Sequence, residues 1–339
     1  MELKQTAEIV TTLMEKAQLG NIAIRVGRND EVLAELYRSK TGEVDSHTLF
    51  DMASVTKILA VTALSLIALD RGVITLEDRV SRFFDYDGSL TVKHLLTHTM
   101  GIGHKNLCAA GVSYDNVGEY ILSIPADIPI GSNVLYSCPG FILMGKILEK
   151  CWGKRLDVLF RELVAEPLQM HSTAFLPDVQ ANRFVNSNPA PADVGKVNDY
   201  NCRYLGGVAG NAGIFSCIDD LTRYAHMLLN RGAPLFSEKT WTLATQNHTP
   251  GMDDARGLGY LYVDGRYAQT GKLFPTGSIG HCGHTGQSLF ADPKSGLYVI
   301  ILSDATLSVN TKFGGVDNYG HVMAMREALH NAIQEDLRL

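Results

Sequence analysis

Phe50-Asp51-Met52-Ala53-Ser54-Val55-Thr56-Lys57 opens the most apolar stretch of the 339-residue chain, which runs on through Ile58 to Leu69 and closes at Arg71-Gly72. The pattern predicts a helix over 54–71, ended by glycine in the usual C-terminal manner. In the first turn of such a helix, side chains three apart share a face, so Ser54 and Lys57 stand together. The positive helix end favours an alkoxide on Ser54 and lowers the lysine pKa. A buried lysine with a lowered pKa can take the proton that serine must lose to become a nucleophile. Ser-x-x-Lys alone is a weak signal, since roughly one is expected by chance in a chain this long. It occurs once here, and at a helix start.

Outward from this segment, residues 3–18 read as a helix ending at Gly20, and Asn21 to Tyr37 as a strand pair turning at Arg28-Asn29-Asp30. Toward the C-terminus, short helices are expected at Leu76 to Phe84, Val92 to Thr97 and Val117 to Ser123. Further helices are expected at Phe141 to Trp152, Arg155 to Ala165, Asp219 to Asn230 and Ser237 to Asn247, with 166–210 irregular. After Gly257 the character changes. Leu258 to Val263, Ser278 to Gly283, Ser288 to Asp292 and Tyr298 to Ser303 read as strands, and Gly320 to Glu335 as a closing helix. The order implies an α+β fold. One antiparallel sheet is built from both chain ends and flanked by the terminal helices, with a large, mainly helical region inserted. The expected units are 1–53 plus 257–339 for the sheet and 54–256 for the helical part, with the active site at their junction.

Two more motifs carry chemistry. Tyr136-Ser137-Cys138 precedes the helix at 141–152, and a tyrosine hydroxyl beside a lysine ammonium can serve as general acid and base. Gly280-His281-Cys282-Gly283-His284-Thr285-Gly286 lies at a strand edge, where glycines let a substrate approach backbone N–H groups that could form an oxyanion hole.

In this order and at these spacings, the motifs resemble the serine β-lactamase and penicillin-binding protein superfamily. The nearest resemblance is to its class C β-lactamase-like branch, with DD-carboxypeptidases, D-aminopeptidases and family VIII esterases. Phe50 to Lys57 looks like that family's nucleophile segment. Leu95 to Ile102 (LLTHTMGI) resembles its LLTHTSGI stretch, Tyr136 to Phe141 its YSNxGY, and Gly206 to Ser216 (GGVAGNAGIFS) its GGxAGxAGLFS loop. The resemblance runs from about residue 20 to the C-terminus and implies a β-lactamase/transpeptidase-like fold. It also implies a hydrolase that forms an acyl-enzyme on Ser54, with Lys57 and Tyr136 passing the proton. Laid on the family's third motif, Gly280 to Pro293 aligns without a gap and puts His281-Cys282-Gly283 on the active triplet. His281 then takes the lysine position, with His284 the alternative for that side-chain role. The N–H groups of Ser54 and His284 make the oxyanion hole, and Gly283, Cys138 and Cys282 border the substrate.

Cys138 replaces an asparagine of the family pattern, Cys282 a threonine and His281 a lysine. An unperturbed histidine is mostly neutral at pH 7 and a weaker carboxylate anchor than lysine. These changes point away from β-lactams and D-Ala-D-Ala, toward an esterase or amidase with a less anionic substrate. They also motivate the alternative of a catalytically idle scaffold or ligand sensor.

The net charge of −6, with scattered basic residues, argues against a nucleic-acid surface. The N-terminus lacks the basic start and apolar run of a secretory signal, and Ile58 to Leu69 is too short for a membrane span. The expectation is a cytosolic protein acting on a small molecule or short peptide, without a membrane or nucleic-acid partner. No motif gives the oligomeric state. No C-x-x-C is present, so the six cysteines read as reduced and mostly buried thiols. His94-Leu95-Leu96-Thr97-His98 has metal-ligand spacing but lacks the glutamate of zinc proteases, so packing roles are expected and no metal or cofactor is required.

Overall fold

The computed structural model describes residues 2–40, 42–188, 190–266, 268–305 and 317–338. Of the sheet unit expected over 1–53 and 257–339, residues 1, 41, 267, 306–316 and 339 lie outside the described residues.

The chain opens with α1 (Lys4–Glu15) and the hairpin β1 (Asn21–Arg28) and β2 (Glu31–Ser39). Then come β3 (Phe50–Asp51) and the buried helix α2 (Ala53–Asp70), followed by α3 (Val92–Leu96), α4 (Val117–Ser123), α5 (Cys138–Trp152) and α6 (Leu156–Phe160). The middle closes with β4 (Ala174–Phe175), α7 (Tyr200–Tyr204), β5 (Ile214–Ser216), α8 (Ile218–Leu229) and α9 (Glu238–Ala244). Four strands follow, β6 (Leu261–Tyr262), β7 (Ile279–Cys282), β8 (Ser288–Asp292) and β9 (Leu297–Ser303), and α10 (Asp317–Leu337) ends the chain.

The main sheet has the order β2-β1-β9-β8-β7-β6, antiparallel throughout, so the hairpin of the first forty residues is completed by strands from the last eighty. Successive side chains of a strand point to opposite faces, and both faces here are covered. On β9, Tyr298, Ile300 and Leu302 join the large core with the helical region. Leu297, Val299 and Ile301 join a second core with Val10 of α1 and Leu329 and Ile333 of α10. α1 has no cap of its own. Asp336 of α10 accepts from Gln5 N–H at 2.8 Å, Thr6 N–H at 2.9 Å and Thr6 Oγ1 at 2.7 Å, satisfying orphan donors of the first turn.

Several elements differ from their sequence pattern. Leu76 to Phe84 contracts to one 3₁₀ turn, Val80–Arg82, and the strand expected over Leu258 to Val263 to Leu261–Tyr262. The irregular 166–210 contains α7 and the short β4. That strand, with β5 and β3, forms a second sheet too brief to show periodicity. At 18 residues, Ala53–Asp70 is long and apolar enough to cross a membrane, but 83% of it is buried inside the protein, as befits a core helix.

Candidate active site

Ser54 lies in a single 3₁₀ turn, Ala53–Val55, at the head of α2. Residues three apart eclipse in such a turn, which brings the Ser54 and Lys57 side chains together. Ala53 has φ +45°, a conformation that residues with a Cβ adopt at a cost. Two bonds hold the turn. Ala53 N–H donates to Asp51 Oδ1 at 2.8 Å, and Met52 N–H donates to the Ile214 carbonyl at 2.9 Å. The other Asp51 oxygen accepts Asn198 N–H at 2.6 Å. Burial pushes the Asp51 carboxyl up to about 6, against the two N–H bonds that pull it down. Past the turn, Lys57–Thr62 widens into a π turn before regular helix begins at Ala63.

Lys57 is fully buried. Its Nζ donates to Ser54 Oγ at 2.9 Å, to the Asn211 carbonyl at 2.9 Å and to Cys138 Sγ at 3.5 Å. Three acceptors match the three hydrogens of an ammonium. Burial is the largest influence on this lysine and opposes the charge. The negative charge that Cys138 and Tyr136 can carry favours it and prevails, so the pKa is pushed up to about 12. The lowered lysine pKa expected from the helix dipole is therefore reversed: the neighbours outweigh both dipole and burial. Cys138 feels the counterpart. Burial pushes its thiol up, but Lys57 and a hydrogen bond from His104 pull it further down.

Tyr136 donates to Ser54 Oγ at 2.8 Å. It sits just before Ser137, the N-cap of α5, whose Oγ accepts Gly140 N–H at 3.0 Å and whose N–H donates to His98 Nδ1 at 3.0 Å. The Tyr136 ring packs on His98, with centroids 4.6 Å apart. Lys57 Nζ stands 5.0 Å and Arg256 Cζ 5.7 Å from its centroid. Burial raises its pKa, with Lys57 pulling the other way. Ser54 and Tyr136 are half-buried and so open to a substrate.

The third motif lies along β7 and the turn after it. His281 is buried and faces Tyr136, with centroids 6.2 Å apart. Its Nδ1 is 2.7 Å from the Cys282 carbonyl, which can only accept, so Nδ1 carries the proton and Nε2 the lone pair. Burial, then the charges of Lys57 and Arg256, push its pKa well below the ordinary value. His281 is thus a neutral ring and cannot supply the positive charge of the lysine in the family's third motif. The His284 side chain is exposed.

Cys282 and Gly283 depart from the roles that the resemblance implies. The resemblance sets Cys282 beside the substrate. Strand alternation instead turns it to the opposite face of β7 from His281, into the core beneath α1 and α10. Gly283 offers no donor to a substrate, because its N–H donates to the Gln287 carbonyl at 2.9 Å. Its role is steric. A Cβ there would lie 2.7 Å from the Met52 carbonyl, so only glycine lets this turn, and the His284 backbone next to it, close on the Ser54 turn. Its own carbonyl accepts from the buried Arg326 of α10.

Four neighbours of the site escape a reading of sequence patterns. Asp51 and Asn211 lie inside the resembling segments, but nothing in their spacing marks one as the brace of the turn and the other as the seat of Lys57. His98 and Arg256 meet Tyr136 only through the fold. The paired histidines have packing roles: His94 Nδ1 accepts Thr91 N–H at 3.1 Å at the start of α3, and His98 orders the entry to α5. No disulfide joins the cysteines among the described residues.

A six-stranded antiparallel sheet backed by both terminal helices, with a serine, lysine and tyrosine gathered at the head of a buried helix, defines the β-lactamase and penicillin-binding protein class. The solved structure of a β-lactamase from Mycobacterium bovis shares the fold, with TM-score 0.68 and 22% identity over 97% of this chain and 99% of that one. The Beta-lactamase family model matches residues 6–313, and the chain belongs to that family. Its relatives include esterase EstB of Burkholderia gladioli, 29% identical over 94% of this chain and 92% of that protein. Another is an N-acetylmuramyl-L-alanine amidase of Bacillus subtilis (strain 168), 28% identical over 80% and 71% respectively.

Proposed function

We propose that this protein is a serine hydrolase that cleaves an ester or amide through an acyl-enzyme on Ser54. One observation carries the reading: Ser54 Oγ accepts from both Tyr136 OH, at 2.8 Å, and Lys57 Nζ, at 2.9 Å. Relatives named as an esterase and an amidase support it.

The chemistry follows from the charges. Lys57, held as an ammonium, stabilises negative charge on its neighbours and does not itself take the serine proton. Tyr136 in its phenolate form takes that proton as Ser54 Oγ bonds to the substrate carbonyl carbon. The N–H groups of Ser54 and His284 receive the oxyanion. Tyr136 then returns the proton to the leaving alcohol or amine as the carbon–heteroatom bond breaks. A water repeats the cycle on the acyl group, giving a carboxylic acid and free Ser54. The substrate is a small molecule or short peptide.

Turnover of p-nitrophenyl esters by wild type and Ser54→Ala, with intact-mass detection of the acyl adduct, tests this. Ser54→Ala is expected to lose at least about 10³-fold in kcat/KM. Absence of both turnover and adduct across a panel of esters, amides and cephalosporins would sink the proposal. Cys138, standing where the family pattern has an amide, favours a second reading, an idle scaffold that binds ligand without chemistry. In that case Ser54→Ala would leave ligand binding and cellular role intact.

A further inference from the structure

Arg326 of α10 is among the largest fully buried side chains, and no carboxylate pairs with it among the described residues. Its guanidinium donates instead to two neutral oxygens, Nη1 to Gln269 Oε1 and Nη2 to the Gly283 carbonyl. A buried cation with only neutral acceptors costs stability, and an apolar side chain of its volume would fill the space with less penalty. Its presence points to a role beyond packing. The Gly283 carbonyl takes two donors, Arg326 Nη2 and, across the turn, Gly286 N–H at 3.0 Å. The Gly283–His284 peptide is trans, so its N–H and C=O point in opposite directions, and fixing one fixes the other. Arg326 rises from the α10 side of the sheet, where Val322, Met325 and Leu329 pack in one core with Cys282. On the other side His281 faces Tyr136, and Tyr136 donates to Ser54 Oγ. The turn is also tied to the residues before Ser54, since Thr285 Oγ1 donates to the Asp51 carbonyl at 3.2 Å.

We infer that Arg326 is a positioning residue that grips the Gly283 carbonyl so that the His284 N–H of the same peptide is held toward Ser54 and polarised as a donor to the oxyanion. Hydrogen bonds in series polarise one another, and a guanidinium on the carbonyl draws charge through the amide, so the N–H donates more strongly to a negative oxygen beyond it. The charge reaches the motif: burial, then Arg326, lowers the pKa of the His284 side chain. A donor fixed in advance acts where charge develops in the transition state, more than on the bound substrate. Arg326 works through this one peptide and contacts no reacting atom. The inference rests on the acyl-enzyme reading above and says what holds its oxyanion site.

A thionoester separates this role from a structural one, because sulfur is a weak hydrogen-bond acceptor and gains little from N–H donors. Arg326→Met is expected to lower kcat on p-nitrophenyl acetate at least about tenfold, with KM little changed. The ratio of kcat/KM for this ester to that for p-nitrophenyl thionoacetate, with C=S in place of C=O, should fall by about the same factor. Arg326→Lys, which keeps the charge, should restore part of both. Equal losses on ester and thionoester, as from a merely structural arginine, would overturn the inference, and so would an unchanged kcat. Should Arg326→Met fail to fold, Arg326→Gln removes the same charge, and the same ratio decides with the same outcomes. Failure of the acyl-enzyme reading looks different: wild type then turns over neither ester and carries no adduct on Ser54, and the inference falls with it.

Discussion

With its three ammonium hydrogens directed at Ser54, Asn211 and Cys138, Lys57 has no lone pair to offer, and the Tyr136 oxygen is the base nearest the Ser54 proton. Burial raises the Tyr136 pKa, so its phenolate is scarce at neutrality and grows about tenfold per pH unit. We expect kcat/KM to climb with pH above 7. Tyr136→Phe should lower kcat by about 10²–10⁴-fold and abolish the climb, as a pH–rate profile will read. Asp51 acts on stability rather than chemistry. A carboxyl raised to about 6 in the fold binds its proton more tightly there than in the unfolded chain. Its contribution to stability is therefore fully present below about pH 4, declines as pH rises to about 6, and amounts to about 3 kcal/mol. Asp51→Asn should flatten the urea-unfolding profile between pH 4 and 6. The amide leaves either Ala53 or Asn198 N–H without its acceptor, so the same variant should lose activity as the Ser54 turn relaxes. At this scale Ser54, Lys57 and Tyr136 were legible from residue type and order. The lysine's charge state was not, because it depends on Cys138, 81 residues away in the chain.

Among the elements, the long apolar helices announced themselves and the short strands did not. Residues 141–152 carry enough turns for a period to emerge. β3, β4 and β5 hold two or three residues each and exist because each pairs with a neighbour. The head of α2 is the instructive case: a pattern that reads as plain helix over 54–71 is in fact a 3₁₀ turn, a π turn and then α-helix. Hydrophobic periodicity cannot separate these, since all residues from Val55 to Ala68 are buried whatever the winding. The turn after β7 offers a test at this scale. In Gly283→Ala the new methyl meets the Met52 carbonyl, so the turn must retreat from the Ser54 turn. We expect kcat to fall at least about tenfold, with a stability loss of about 1–3 kcal/mol in thermal melts, as for other overpacked sites.

For the molecule as a whole, the architecture was legible because strands cluster at the chain's ends and helices in its middle. The placement of Cys282 was not, because its facing depends on strand alternation within the closed sheet. Long-range contacts also fasten the two ends. Asp336→Ala removes three hydrogen bonds to the first turn of α1 and should cost about 1–2 kcal/mol, measured by urea unfolding, with little change in kcat.

The pairing of β1 with β9 has a consequence on the ribosome. Ile22 meets Ser303, and Arg28 meets Leu297, so the apolar hairpin is made early and its partner strand late. At ~5–20 residues per second, roughly 15 to 60 s separate their synthesis. Through that interval β1 presents an open edge of the kind that recruits other chains. The helical middle, rich in local contacts, can collapse meanwhile. Slower translation lengthens the exposure, so the yield of soluble protein should depend on elongation rate and on chaperones that shield the nascent hairpin.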